Sequence, residues 1–191
     1  MKKILLLLAA FIFSISAIFA QENSWQKEAG ESNASLANGY GGIELGMSVD
    51  EVKSALKKNP QFGYRGDRDV SLLPSTLETI IETDASRNTY SFLNRCYFQF
   101  HDEKLYIITI NIKSSKMDYY SIFSTLCQKY GNPPSMNPKK AEWNDGKVLM
   151  SLEKPLTLKY TDNAVYEEIQ NQSQVEKTAE EMTRDNFLNG L

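Results

Sequence analysis

Apolar residues recur along this chain in two rhythms, one of period near four and one of period two. In VDEVKSALKK, residues 49–58, Val49, Val52 and Leu56 fall on one side of a helix. Ser48 and Glu51 have the spacing of a capping box, in which hydroxyl and carboxylate each bond the other residue's backbone N–H. Asp50 and Glu51 suit the positive end of the helix dipole, while Lys53, Lys57 and Lys58 suit its negative end. Asn59–Pro60 stops the helix, Gly46 turns the chain into it, and Met47 holds the staple position ahead of the cap.

The rhythm then shortens. TLETIIE at 76–82 predicts a strand, and RCYFQFH predicts another in which Cys96, Phe98 and Phe100 alternate with Tyr97, Gln99 and His101. A short turn at Asp102–Glu103 leads into LYIITINI, which has Leu105 and Ile107 on one face and Tyr106, Ile108, Ile110 and Ile112 on the other. A strand apolar on both faces is expected at the centre of a sheet. DYYSIFSTLCQKYGNP then predicts a helix with a stripe of Tyr119, Ile122, Phe123, Leu126, Cys127 and Tyr130, ended by Gly131 and Pro133. A short strand at Ala141–Trp143, an Asn144–Asp145–Gly146 turn, and the strands KVLMSLE and PLTLKYT follow.

Helix then three strands, twice, is a repeat of element order and predicts an α+β fold. We expect a tandem domain over 41–161, with units 41–115 and 116–161, forming antiparallel sheet with the helices packed on one face. Residues 162–191 are expected to form a C-terminal helix and tail. Asp162 is its N-cap, and Val165, Ile169, Val175, Ala179 and Met182 make a thin apolar stripe on an otherwise polar helix.

The N-terminus adds compartment. MKKILLLLAAFIFSISAIFA, with two lysines before an apolar run, has the layout of a signal peptide over 1–20, so the protein is expected to be periplasmic or secreted, with no stable membrane insertion after cleavage. Residues 21–40 are polar and rich in Ser, Asn and Gly, and are expected to form a flexible leader whose one sticky residue is Trp25. Removing 1–20 leaves 171 residues and takes the formal charge from −3 to −5. That balance argues against nucleic acid as a partner, because phosphate binding needs clustered cations.

Candidate chemistry is sparse. Gly41, Gly46 and Ser48 have the spacing of a phosphate-binding loop, but Met47 stands where the essential lysine belongs and Glu44 would face the phosphates. The lone histidine, His101, lies at a strand end beside Asp102 and Glu103 and reads as a solvated turn residue; no G-x-S-x-G elbow accompanies it. No enzyme, metal site or cofactor is expected. Cys96 and Cys127 both point inward, either as free thiols or as a disulfide that an exported chain permits. The loop around YRGDRD combines Phe62, Tyr64, Arg65 and Arg68, residue types that anchor protein interfaces, and together with Asp67 these make the candidate partner-contact site. It includes an Arg65-Gly66-Asp67 tripeptide of the kind used in cell adhesion, and two carboxylates, Asp67 and Asp69, too few for a calcium loop.

The run from Gly42 to Leu56, G-I-E-L-G-M-S-V-D-E-V-K-S-A-L, followed by a strand meander and a second helix-plus-strands unit, resembles the module of the β-lactamase inhibitor proteins and of the BamE (SmpA/OmlA)-type lipoprotein of outer-membrane barrel assembly. The chain also resembles exported proteins of spirochaete type. The resemblance implies a non-enzymatic envelope protein that binds another envelope or secreted protein. It departs in one respect, since no cysteine stands at the cleavage point to take a lipid. The competing expectation is a small-ligand or lipid carrier, with Phe98, Phe100, Tyr106, Trp143 and Tyr160 lining a groove; a hydrolase using His101 is a third.

Overall fold

The computed structural model describes residues 35–73 and 78–189. The signal peptide, Trp25 and most of the leader lie outside the described residues. A two-strand hairpin comes first, β1 (Gly39–Tyr40) and β2 (Ile43–Glu44), then helix α1 (Val49–Lys58). Strands β3 (Val70–Leu72), β4 (Thr79–Asp84), β5 (Leu93–His101) and β6 (Lys104–Ile112) lead to helix α2 (Tyr119–Tyr130). After it come β7 (Ser135–Asn137), β8 (Lys140–Asn144), β9 (Val148–Glu153) and β10 (Thr157–Asp162), and finally helix α3 (Asn163–Asn189).

Strands β3 to β10 form one antiparallel sheet in the order β3-β4-β5-β6-β10-β9-β8-β7. The α+β class with a large antiparallel sheet is therefore as the sequence predicts. Each helix is followed by four strands, however, not three: β3 and β7 are three-residue edge strands too short to show a period. The two meanders join through their last strands, Leu158 lying opposite Ile110 and Tyr160 opposite Ile108.

One face of this sheet carries the core. Ile81, Phe98, Ile108, Ile110, Tyr160, Met150, Leu152 and Trp143 share a buried cluster with Val52 and Leu56 of α1 and Leu126 of α2. The Phe62 ring meets Phe98 edge-on at 5.7 Å, and Phe123 of α2 packs against Trp143 at 6.2 Å. The start of α3 belongs to the opposite face: its Tyr166 lies close enough to Tyr106 and Lys140 to couple electrostatically with both. Asp162 caps α3 as expected, accepting from the N–H groups of Ala164 and Val165 at 3.1 and 3.2 Å.

The capping box at α1 is complete. Ser48 N–H donates to Glu51 at 2.8 Å and Glu51 N–H to the Ser48 hydroxyl at 3.4 Å. The residues before it do more than turn the chain. Gly46 N–H donates to Leu105 C=O at 2.7 Å and Leu105 N–H to Met47 C=O at 2.8 Å, and Ser48 bridges Lys104. Pairing between β10 and β6 runs only as far as Thr161–Ile107. Gly46–Ser48 therefore takes over the edge of β6 where β10 leaves it, and satisfies backbone groups that burial would otherwise strand.

Two local features differ from the sequence reading. The register of β5 against β6 shifts between Gln99 and Phe100, which inserts Tyr106 as an extra residue and turns Leu105 onto the core face rather than the face of Ile107. The last residues of the expected leader are also held. Leu36 is buried, and its N–H donates to Asp145 Oδ2 at 2.8 Å, while Asp145 Oδ1 accepts from Lys147 and Val148 at 3.0 and 2.8 Å. Desolvation works to raise the Asp145 carboxyl, but these N–H donors hold it below the usual range.

The β5–β6 turn places Asp102 and Glu103 at φ of 46° and 62°, a conformation that suits glycine at the second position. Glu103→Gly is expected to raise stability by about 0.5–1 kcal/mol, read as a higher urea midpoint at unchanged slope; a lower midpoint would contradict the turn. Asp145→Ala is expected to lower stability by about 1 kcal/mol at neutral pH. Because the folded carboxyl is depressed, that contribution is present above the ordinary aspartate range and disappears as pH falls through the folded value, so the two proteins should converge in acid.

Candidate binding surfaces

The loop singled out by sequence splits into a buried part and an exposed part. Pro60–Phe62 form a short 3-10 turn whose Phe62 is fully buried between Phe98 and Tyr40, so Phe62 is a core residue and offers nothing to a partner. Gly63 follows at φ 67°, where a Cβ would stand 2.5 Å from Asp84 C=O. Tyr64 is half-buried, with its hydroxyl unpaired among the described residues. Arg65 is tied to Asp69: its backbone N–H and Nε each donate to the carboxylate at 2.8 Å, and Nη2 stands 2.5 Å from Oδ1. The Asp69 side chain is wholly buried while Arg65 is 44% exposed, so Asp69 is the anchor that shapes the loop. Asp67 is exposed and pairs with Lys53 of α1 at 3.3 Å, and Arg68 is exposed. The surface part of the candidate site is thus Arg65, Asp67 and Arg68.

His101 is not the solvated turn residue that its neighbours suggest. Its side chain is 20% exposed, its Nδ1 pairs with Glu78 ahead of β4, and its ring packs edge-on against Tyr106 at 6.0 Å. Glu78 is distant in sequence, so local pattern gave no signal for the pair. Cys96 and Cys127 are free thiols, and the bridge is not formed. Cys96 sits on β5 between Thr83 and Ile110, where burial pushes its thiol up to about 12. Cys127 lies on α2, half-buried, its thiol also raised by burial. Among the described residues no three His, Cys, Asp or Glu side chains are grouped to hold a metal ion.

The rings expected to line a groove are core. Phe98, Phe100, Trp143, Tyr160 and Tyr106 are all buried. An apolar cavity of about 290 Å³ does exist on the core face of the sheet, but other residues line it: Leu93, Ile110, Ile112 and Leu158 from the sheet, Met117 and Ile122 at the start of α2, Tyr40 of β1, and Phe92. It lies over the β6–β10 junction. Four separate strands, a linker and a helix terminus supply its walls, so no single sequence stretch announces it.

Helix α3 is the third surface. Val165, Tyr166 and Ile169 are half-buried, but the described side chains from Gln170 to Gln174 are exposed, and Met182, Phe187 and Leu188 are 63%, 67% and 50% exposed. Phe187 lies eighteen residues beyond Ile169, five full turns, and so continues the same helix face. No helix among the described residues is long and apolar enough to cross a membrane.

A large antiparallel sheet with α1 and α2 on its core face and α3 leaving from β10, one of its two central strands, defines an α+β fold. The family model described as the TP0088 domain matches residues 38–172, and the chain belongs to that spirochaete-type family. The match does not extend to the β-lactamase inhibitor or BamE-type modules. No curated protein and no solved structure matches.

Asp69→Ala is expected to cost about 2 kcal/mol, since it removes a buried charged acceptor of three donors, while Asp67→Ala should change the melting midpoint little. Equal effects would contradict the anchor assignment. In the native protein a thiol reagent at neutral pH is expected to label Cys127 ahead of Cys96, and Cys96 only on unfolding; early labelling of Cys96 would contradict its burial.

Proposed function

We propose that this is a non-enzymatic, exported protein-binding module of the bacterial envelope, periplasmic or secreted, that engages a protein partner through the distal part of α3. The observation that carries the reading is the exposure of Met182, Phe187 and Leu188 on a helix that continues past residue 172, where the family match ends. A solitary helix in water is marginally stable, and its exposed apolar side chains favour a partner's groove over solvent. Export rests on the Lys2–Lys3 and apolar layout of residues 1–20.

The body is read as two copies of one helix-and-meander unit. Met47, Ser48, Val52 and Leu56 recur as Met117, Asp118, Ile122 and Leu126, so staple, N-cap and two core positions keep the same spacing. The strand order is symmetric about the β6–β10 junction. The non-enzymatic reading is supported by the state of the thiols: Cys96 is buried, Cys127 is half-buried, and burial raises both above the ordinary thiol range.

The test is in-cell cross-linking of the full chain beside the double variant Met182→Glu, Phe187→Glu. Wild type is expected to give a defined protein adduct that the variant loses, with affinity down at least tenfold and the melting midpoint unchanged. The same adduct from both proteins, or none from wild type under several conditions, would sink the proposal.

A further inference from the structure

We propose that the cavity over the β6–β10 junction binds the alkyl chain of a medium-chain carboxylate, with the anionic head held at the rim by Lys116. This site is independent of the α3 surface. Its eight lining residues are apolar in body, and its volume of about 290 Å³ stands at the lower end of small-ligand pockets, which suits one alkyl chain and not two. Tyr40 and Phe92, 39% and 46% exposed, line it and also reach solvent, so the cavity has a mouth.

The rim is built and cationic. Lys113 donates from its ammonium to the carbonyls of Ala85, Asn88 and Ser91 at 2.9, 2.8 and 3.2 Å, which fixes the loop that ends in Phe92. With three carbonyl partners, Lys113 is a structural cation. Lys116 bonds Thr89 C=O and lies 5.4 Å from the Phe92 ring centroid, which places a charged ammonium beside a lining residue. The rim beside Phe92 and Met117 carries Lys113 and Lys116 against one carboxylate, Asp118. Asp118 is already engaged, capping α2 by accepting from the Ser121 N–H at 2.8 Å and the Ser121 hydroxyl at 2.6 Å. An apolar slot with a net positive rim selects an amphiphile whose head is anionic.

The experiment titrates the full chain, carrying labelled Ile, Leu and Met methyl groups, with decanoate, decylammonium and acetate. Decanoate is expected to give saturable one-to-one shifts centred on Ile110, Ile112, Met117, Ile122 and Leu158, and to bind at least tenfold more tightly than decylammonium; acetate should give none. Ile122→Phe, which fills the slot, should weaken decanoate at least tenfold. Lys116→Glu, at an exposed position, should remove or reverse the preference for the anion while the fold is kept. Met182→Glu with Phe187→Glu should leave decanoate binding unchanged, which separates this site from the α3 reading. No saturable shift, shifts centred elsewhere, equal affinity for the two chains, or a Lys116→Glu protein that keeps its preference would each overturn the proposal. Shifts at the same methyl groups produced only by an apolar peptide would overturn it in favour of a protein side chain.

Discussion

The antiparallel pairing of β6 with β10 is the constraint on which the rest depends. It brings Asn111 opposite Thr157 and Ile107 opposite Thr161, segments separated by more than forty residues, and it makes one sheet from two meanders. Each meander alone would expose the flank of an apolar strand: Ile108 and Ile110 on one side, Leu158 and Tyr160 on the other. Joining them buries both flanks and satisfies both rows of backbone groups at once. Packing and hydrogen bonding therefore favour the same register, and a one-residue slip would turn every one of these side chains to the wrong face.

The junction also sets what happens at its ends. Where β10 departs, Gly46–Ser48 occupies the edge of β6, so the capped start of α1 is fixed to the sheet by main-chain bonds as well as by Val52 and Leu56. At the same point the chain turns at Asp162 into α3, which is why a long polar helix starts beside the sheet and then runs beyond it. Over the middle of the junction, Ile110 and Leu158 form part of the floor of the apolar cavity. The cavity and the projecting helix are thus consequences of one arrangement: each lies where the joined sheet leaves a surface that its own elements do not complete.

Much of this was legible in local pattern. The capping box at Ser48 and Glu51, the alternation through Cys96, Phe98 and Phe100, the Asn144–Asp145–Gly146 turn and the Asp162 cap all follow from short-range chemistry, and all are present. What escaped was long-range or too short to carry a period. Strands β3 and β7 span three residues each. The bulge at Tyr106 depends on the partner strand, and it reversed the face assigned to Leu105. Phe62 looked like a loop aromatic because its partners, Tyr40 and Phe98, lie far away along the chain. The repeat of Met47 and Val52 in Met117 and Ile122 was readable at fixed spacing, but unlike residues around it, such as Lys53 against Phe123, hid it. The candidate contact loop proved half scaffold, because Phe62 is core and the buried Asp69 carboxylate anchors the loop by accepting from Arg65.

Native-state hydrogen exchange across the sheet tests the joined-sheet claim most directly. If β6 and β10 form the seam of one cooperative unit, the amides of β5, β6, β9 and β10 should open together, with one free energy and one dependence on denaturant. Were the amides of β4–β6 and those of β8–β10 to open separately, at different denaturant concentrations, the two meanders would be independent bodies and this account would be contradicted.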